Sequence, residues 1–590
     1  MNKQKDEKEA SLNFVNIARK ENLTDYVLAD LDTRIKKDRA VKLSIFYTGL
    51  SSFMNDPINL FLKGESGSGK TFNTTETLKY FPEDSILFLG GMSPKALIHS
   101  RGVLLNKNGE EIDLDFHPAK PSKNEYETEE DYKKAVQNYQ EQLKDRREEM
   151  RESYTLIDLS HKILVFLENP DFDTLLMLRP LLSHDKERIE YQFVEKTGKG
   201  LLQTRKVILK GWPATIFCTT DNKYVEELAT RSFTATPESS ELKILAANVL
   251  TNMKVSFPWQ YTEETQAFKT ITKLIQRLQE QALECSIDVL LPFLLYELFP
   301  KEITRDMRDF QHFTQFLKTI TLLHLFQRPY MKLNGSKMLV ATLEDVTRTL
   351  SIYREIFETT RTGTEKQTLD FYHQIVKTRD SWYLKNLTEE YNQKFKRKLS
   401  EDSIRVKLER LDRIGYVNSQ QDDVDKRRKL YVPLKKGEEK GENGLKTDSQ
   451  QDLEAKLKKS FETWKNNITG KLAFYYYKNI SEKAWGESEI SFAELEQLVT
   501  EGQKTFSSNS EGNNPRLISN GESSFKPEPS PETKREAETQ PFSDNSTEGL
   551  GNLVSCPECK ARGKKNLFAS DADLAAHEKT FHSQGQNYMS

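Results

Sequence analysis

The stretch from Ile58 to Tyr80 constrains this chain more than any other: an apolar run, a glycine-rich turn and a helix-compatible segment follow one another without a gap. The turn, Gly64-Glu65-Ser66-Gly67-Ser68-Gly69-Lys70-Thr71, fits the phosphate-loop pattern G-x-x-x-x-G-K-[ST] at every position. Ile58-Asn59-Leu60-Phe61-Leu62 reads as a buried strand feeding the turn, and Phe72 to Tyr80 as the helix that leaves it. In that setting glycines let the backbone curl so that its N–H groups face phosphates. Lys70 then reaches the β- and γ-phosphates, and the Thr71 hydroxyl ligates Mg2+. The pattern predicts a nucleoside triphosphate site, with ATP and Mg2+ as its occupants.

At 590 residues the chain exceeds what one core can organise, so roughly three or four domains are expected. Charged residues make up 30% of it but nearly cancel, leaving a formal net charge of −3; whole-chain charge decides nothing about nucleic acid, and local patches must carry that argument. No apolar run approaches the roughly 20 residues of a membrane span. The first residues, Met-Asn-Lys-Gln-Lys-Asp-Glu-Lys-Glu-Ala, lack the apolar centre of a signal peptide. Of the four cysteines, Cys218 and Cys285 lie in apolar segments, and Cys556 and Cys559 form a C-x-x-C pair. That pattern predicts a reducing, cytoplasmic compartment and a metal site rather than a disulfide framework.

The expected organisation runs as follows. Residues 1–55 form an N-terminal helical segment, and 56–255 an α/β nucleotide-binding core in which strands alternate with helices. Within it, 120–155 is a charged helical insertion, most simply a solvated helix surface. Residues 256–363 show helical periodicity without strand signal and read as an α-helical lid and connecting helix. Residues 364–436 read as a winged helix: Leu387 to Tyr391 starts one helix, and Ser400 opens a second whose face carries Ile404, Leu408 and Leu411. A hairpin then contains Lys426-Arg427-Arg428-Lys429, a candidate DNA-binding wing. A linker and small helical segment fill 437–502. Residues 503–550, rich in Ser, Asn, Gly, Pro and Glu, are expected to be disordered.

A second nucleotide motif is an apolar strand ending in acid, supplied by Ile163-Leu164-Val165-Phe166-Leu167-Glu168. Glu168 is the candidate to orient and deprotonate an attacking water. The Asp usual before it, which holds Mg2+ through water, is Leu167 here, so metal binding would rest on Thr71 and the phosphates, and hydrolysis could be slow. Next, Arg188 to Val194 and Leu201 to Leu209 flank a Gly-containing turn and read as a hairpin with Lys196 and Lys199 at its tip. Ala214-Thr215-Ile216-Phe217-Cys218 is a further core strand, ending in Thr219 and Thr220.

In this order the motifs resemble the AAA+ ATPases, especially the branch of minichromosome-maintenance helicases and related ATPases of viruses and mobile elements. The resemblance covers about residues 55–330, and the winged helix continues it. It implies that Thr219 or Thr220 is sensor 1. Arg231, in Leu228-Ala229-Thr230-Arg231-Ser232-Phe233, is similar to the arginine finger, and Arg308 resembles the lid sensor. A finger acts on a neighbour's nucleotide. The resemblance therefore also implies a homo-oligomeric ring, a hexamer by family habit, whose hairpin lysines grip DNA phosphates in the pore.

Near the C-terminus, residues 551–590 carry Cys556, Cys559, His577 and His582 in the spacing C-x2-C-x17-H-x4-H. Two thiolates from a knuckle and two imidazoles from one helix face can close a tetrahedron around Zn2+. Phe568 and Leu574 stand where the C2H2 zinc-finger family has its core residues, so a small ββα finger is expected, with a longer Cys-to-His span than the family's usual about 12. Ala569 to Asp573 offer no Arg for guanine readout, leaving DNA-backbone attachment and protein contact both open.

The leading expectation is thus an ATP-hydrolysing, DNA-acting machine, a helicase or remodelling motor of a replication or mobile-element system, with replication proteins as possible partners. A nucleotide-gated DNA-binding switch with little turnover is the alternative, favoured by Leu167. A metabolic phosphate-transferring kinase has no use for a winged helix or a zinc finger.

Overall fold

The computed structural model describes residues 17–19, 22–90, 102–113, 116, 118–168, 176, 179–180, 182–196, 202–219, 231–261, 264–301, 305–395, 398–422, 428–434, 450–468, 472–480, 485–502, 554–555 and 567–568. It is a mixed α/β structure, with two compact units, Met1–Asn514 and Pro515–Ser590. Among the described residues no helix is long and apolar enough to cross a membrane.

Early in the chain come α1 (Leu23–Arg34), capped by the Asn22 side chain, and α2 (Arg39–Ser51), buried along most of its length. They are not an appendage. Val27, Leu31, Phe46, Tyr47 and Leu50 belong to the same apolar cluster as Leu60 and Leu62 of β1 (Asn59–Lys63). Helix α3 (Lys70–Leu78) follows the glycine-rich loop, then β2 (Ile86–Leu89).

Strand β3 (Val103–Leu105) and helix α4 (Glu129–Glu152) come next, and α4 buries none of its residues. Its charges face water along 24 residues, as its composition dictates. The chain returns through β4 (Tyr154–Asp158), β5 (Ile163–Phe166), β6 (Arg188–Lys196), β7 (Leu202–Lys210), β8 (Ala214–Thr219) and β9 (Phe233–Ala235).

Five of these strands make one parallel sheet in the order β2-β5-β8-β1-β9. Its strands are apolar on both faces because both are covered. Leu60, Leu62, Val165, Ile216 and Cys218 face the helical side. Phe61, Phe166 and Phe217 stack on the other, with Phe217 centred 4.4 Å from Phe61 and 4.6 Å from Phe166. That second face is covered by the sheet β3-β4-β7-β6, through Ile157, Val207 and Leu209.

Helices α5 (Glu241–Ser256) and α6 (Gln266–Glu284) follow β9. The range expected to be an all-helical lid departs from that expectation. It contains β10 (Ile287–Leu290), helix α7 (Arg305–Leu323), the hairpin β11 (Tyr330–Leu333) and β12 (Ser336–Val340), and helix α8 (Leu343–Thr362). The turn of that hairpin is Asn334-Gly335, with φ of 51° and 80°. These positive angles give the backbone the twist that a two-residue hairpin needs.

Residues 366–433 fold as α9 (Lys366–Gln374), β13 (Trp382–Tyr383), α10 (Leu384–Lys394), α11 (Glu401–Arg413), β14 (Val417–Gln421) and β15 (Lys429–Pro433). The three strands pair antiparallel as β13-β15-β14. Ile404, Leu408 and Leu411 point into a separate core with Phe371, Trp382, Leu387 and Tyr391.

Beyond it lie α12 (Gln450–Asn466), β16 (Phe474–Ile480), β17 (Trp485–Ile490) and α13 (Phe492–Thr500). Here too the expected small helical segment is more than helical. The run Phe474-Tyr475-Tyr476-Tyr477 pairs onto β11 and completes the sheet β10-β12-β11-β16-β17, as aromatic residues on a half-buried pleat favour. In the second unit, β18 (Val554–Ser555) pairs antiparallel with β19 (Leu567–Phe568).

Candidate nucleotide site

All five strands of the parallel sheet run the same way, so their carboxyl ends share one edge, where ligands of open α/β sheets characteristically bind. The glycine-rich loop leaves β1 at that edge. Gly69, at φ 91°, caps α3 in a left-handed conformation that a side chain would strain. The Ser68 N–H donates to Glu65 O at 3.2 Å and closes the loop.

Lys70 is almost fully buried and folds back over the loop. Its Nζ donates to Gly64 O at 2.7 Å and to Glu65 O at 2.8 Å. Burial lowers its pKa below the usual lysine value. Thr71, one residue on, is exposed. Beneath the loop, Thr74 Oγ1 donates to Lys70 O at 3.0 Å and lies 3.5 Å from Cys218 Sγ, a thiol whose pKa burial pushes up.

The neighbouring strands bring two more expected residues to this edge. Glu168 follows the end of β5 and is exposed. Thr219 ends β8, the strand lying between β5 and β1; it pairs with Lys63 and is buried. Leu167 is half-buried and packs against the main apolar cluster, and its N–H donates to Leu89 O at 3.0 Å. It brings no carboxylate to the edge.

Arg231 is different. It precedes β9, whose first residue Phe233 pairs with Leu60, so it belongs to the amino-end edge of the sheet, opposite the chain's own loop. Arg308 is exposed in the first turn of α7; on either side of it, Asp306 pairs with Arg361 and Asp309 with Arg305. Thr220 lies outside the described residues.

Several groups around the loop carry no signal in the sequence pattern. Asp38 is the N-cap residue of α2, yet its carboxylate makes no cap bond there, forgoing a contact worth about 1 kcal/mol. It turns instead to the loop, fully buried: Oδ2 accepts from Asn73 Nδ2 at 2.6 Å and from Lys243 Nζ, and Oδ1 accepts from Glu238 N at 2.7 Å. Lys243, in the first turn of α5, also donates to Ser68 O at 2.9 Å. No local spacing could have joined Asp38 to a lysine 205 residues away. On another side, Lys63 Nζ donates to Gly363 O at 2.9 Å, and Glu365, two residues on, pairs with Arg410 of α11 at 3.4 Å.

For the nucleic-acid candidates, Lys196 pairs in register with Leu202 across the β6–β7 hairpin, while Lys199 lies outside the described residues. Lys429 starts β15 opposite Gln421, and Asp422 N donates to Arg428 O at 3.0 Å; Lys426 and Arg427 lie outside the described residues. Cys556, Cys559, His577 and His582 do as well, and no metal-binding cluster occurs among the described residues. The β18–β19 register sets Ser555 against Leu567, on either side of the C-x-x-C segment in sequence.

Compared with known proteins, the chain matches no family model and no curated relative.

Proposed function

We propose that this chain is an ATP-hydrolysing, DNA-acting ATPase of the AAA+ type, a helicase or DNA-remodelling motor. The observation that carries the reading is the convergence at one sheet edge of the loop 64–71, Glu168 and Thr219, with β8 between β1 and β5. Backbone N–H groups and Lys70 bind the triphosphate, Thr71 holds Mg2+, Glu168 activates water, and Thr219 or Thr220 senses the γ-phosphate. The edge to which Arg231 belongs supports a finger that serves a neighbouring subunit's nucleotide, hence a ring. Arg308 is the candidate lid sensor. The module of residues 366–433, with α9, α10 and α11 beside the sheet β13-β15-β14, supports a winged helix whose basic hairpin contacts DNA backbone. Cys556, Cys559, His577 and His582 would hold a structural Zn2+ in a finger of the second unit.

Steady-state ATP turnover with and without single- and double-stranded DNA tests this reading, with Lys70→Ala as the blank. Turnover that DNA stimulates and Lys70→Ala abolishes is the expected result; turnover unchanged in that variant overturns it. One observation favours a second reading. Leu167, half-buried against the apolar cluster, stands where a metal-orienting carboxylate would help, which suits a nucleotide-gated DNA-binding switch; tight ATP and DNA binding with no turnover above the blank would select it.

A further inference from the structure

Lys70 and Lys243 both donate to carbonyls of the glycine-rich loop, but they are held differently. Lys70 gives its protons to Gly64 O and Glu65 O, backbone groups that a phosphate can displace. Lys243 is committed: its ammonium is paired with the buried Asp38 carboxylate while it donates to Ser68 O. Asp38 is itself fixed from two further directions, by Asn73 of α3 and by the backbone N–H of Glu238. The backbone at Lys37 and Asp38 adopts left-handed angles of 61° and 56°, which non-glycine residues take up only where their surroundings over-determine them.

The consequence falls on one peptide unit. A peptide bond is planar and trans, so its C=O and the following N–H point in opposite directions. Pulling Ser68 O towards Lys243 therefore aims the Gly69 N–H the other way. In a loop of this pattern the backbone N–H groups cradle the α- and β-phosphates. An unheld Ser68–Gly69 peptide flanked by a left-handed glycine has little resistance to flipping.

We infer that Lys243, locked by Asp38, is a positioning residue of the nucleotide site: it holds the Ser68–Gly69 peptide in the orientation that presents the Gly69 N–H to the diphosphate part of the ligand. Lys243 meets the loop at Ser68 O, so the role assigned to it is to hold the backbone rather than to act on the transferred phosphoryl group. This role rests on the nucleotide-site reading above and adds a second lysine to it.

The test is the affinity of the full chain for MgATP, MgADP and AMP, measured by titration, in four variants: Lys243→Met, Lys243→Arg, the double variant Asp38→Asn/Lys243→Met, and Lys70→Ala. The double variant removes both charges together, so no buried carboxylate is stranded if Lys243→Met alone folds poorly. Thermal midpoints without nucleotide report folding separately.

The double variant should bind ATP and ADP about tenfold more weakly or worse, by the same factor for both, with AMP far less affected. Lys243→Arg, which can still donate to both Asp38 and Ser68, should stay within about threefold of the wild type. A double variant that is folded and binds ATP and ADP like the wild type overturns the inference, as does a loss that Lys243→Arg shares in full. Wild-type protein that binds no nucleotide, or Lys70→Ala that binds it unchanged, sinks the nucleotide reading itself instead.

Discussion

At the scale of single residues, the site is an arrangement of charges whose partners differ in how easily they let go. Lys70 rests on backbone carbonyls, so triphosphate binding should displace it. At a nucleotide concentration 100 times Kd, a ligand that binds only the folded state stabilises it by about 2.7 kcal/mol; thermal melts should register that gain in wild type and lose it in Lys70→Ala. Glu168 is exposed, and replacing it should leave the fold alone. Glu168→Gln should therefore keep MgATP binding while turnover falls at least about 100-fold, the usual contribution of a positioned base. A further residue-scale effect lies away from the site. His324 is fully buried, and burial, reinforced by Arg328, pushes its pKa down to about 3 from 6.5. The unfolded chain takes up this proton first, so the stabilisation present above pH 6.5 is lost as pH falls towards 3. Urea midpoints should fall across that window, and His324→Leu should flatten the slope.

At the scale of elements, much could be read in advance. Ile58 to Tyr80 announced strand, loop and helix because local pattern and local geometry coincide there. The i, i+4, i+7 spacing of Ile404, Leu408 and Leu411 likewise gave the buried face of α11. What could not be read depends on distant partners. Strand β16 becomes a strand by pairing with β11, far away in sequence, and its hairpin looked like part of a small helical segment until that edge was available. The β11–β12 turn did carry a local signal, Asn334-Gly335, which the surrounding helical periodicity obscured. Gly335→Ala should cost about 1–2 kcal/mol, the penalty of a left-handed angle for a residue with a Cβ, measurable by denaturant unfolding. The central stack is a stronger dependence. Phe217→Ala removes the ring between Phe61 and Phe166 and should cost about 3–5 kcal/mol.

At the scale of the whole molecule, the sheet geometry gives Arg231 and the loop of one chain opposite edges, so a working site needs two subunits if Arg231 is a finger. Arg231→Ala should then abolish hydrolysis while sparing ATP binding. Mixing it with Lys70→Ala subunits should restore part of the turnover, because some interfaces pair an intact loop with an intact arginine; full activity in Arg231→Ala alone would remove the assignment. The Asp38–Lys243 contact shows why the site was only partly legible. The motif named the loop, but what holds it is assembled from the start of α2, the start of α5 and Asn73 of α3. The measurement that bears most directly on the whole account is calorimetric titration of MgATP into the full chain and into Lys70→Ala. One site per chain, with binding lost in the variant, is the expected result. Equal binding by both proteins, or none by the wild type, would contradict it.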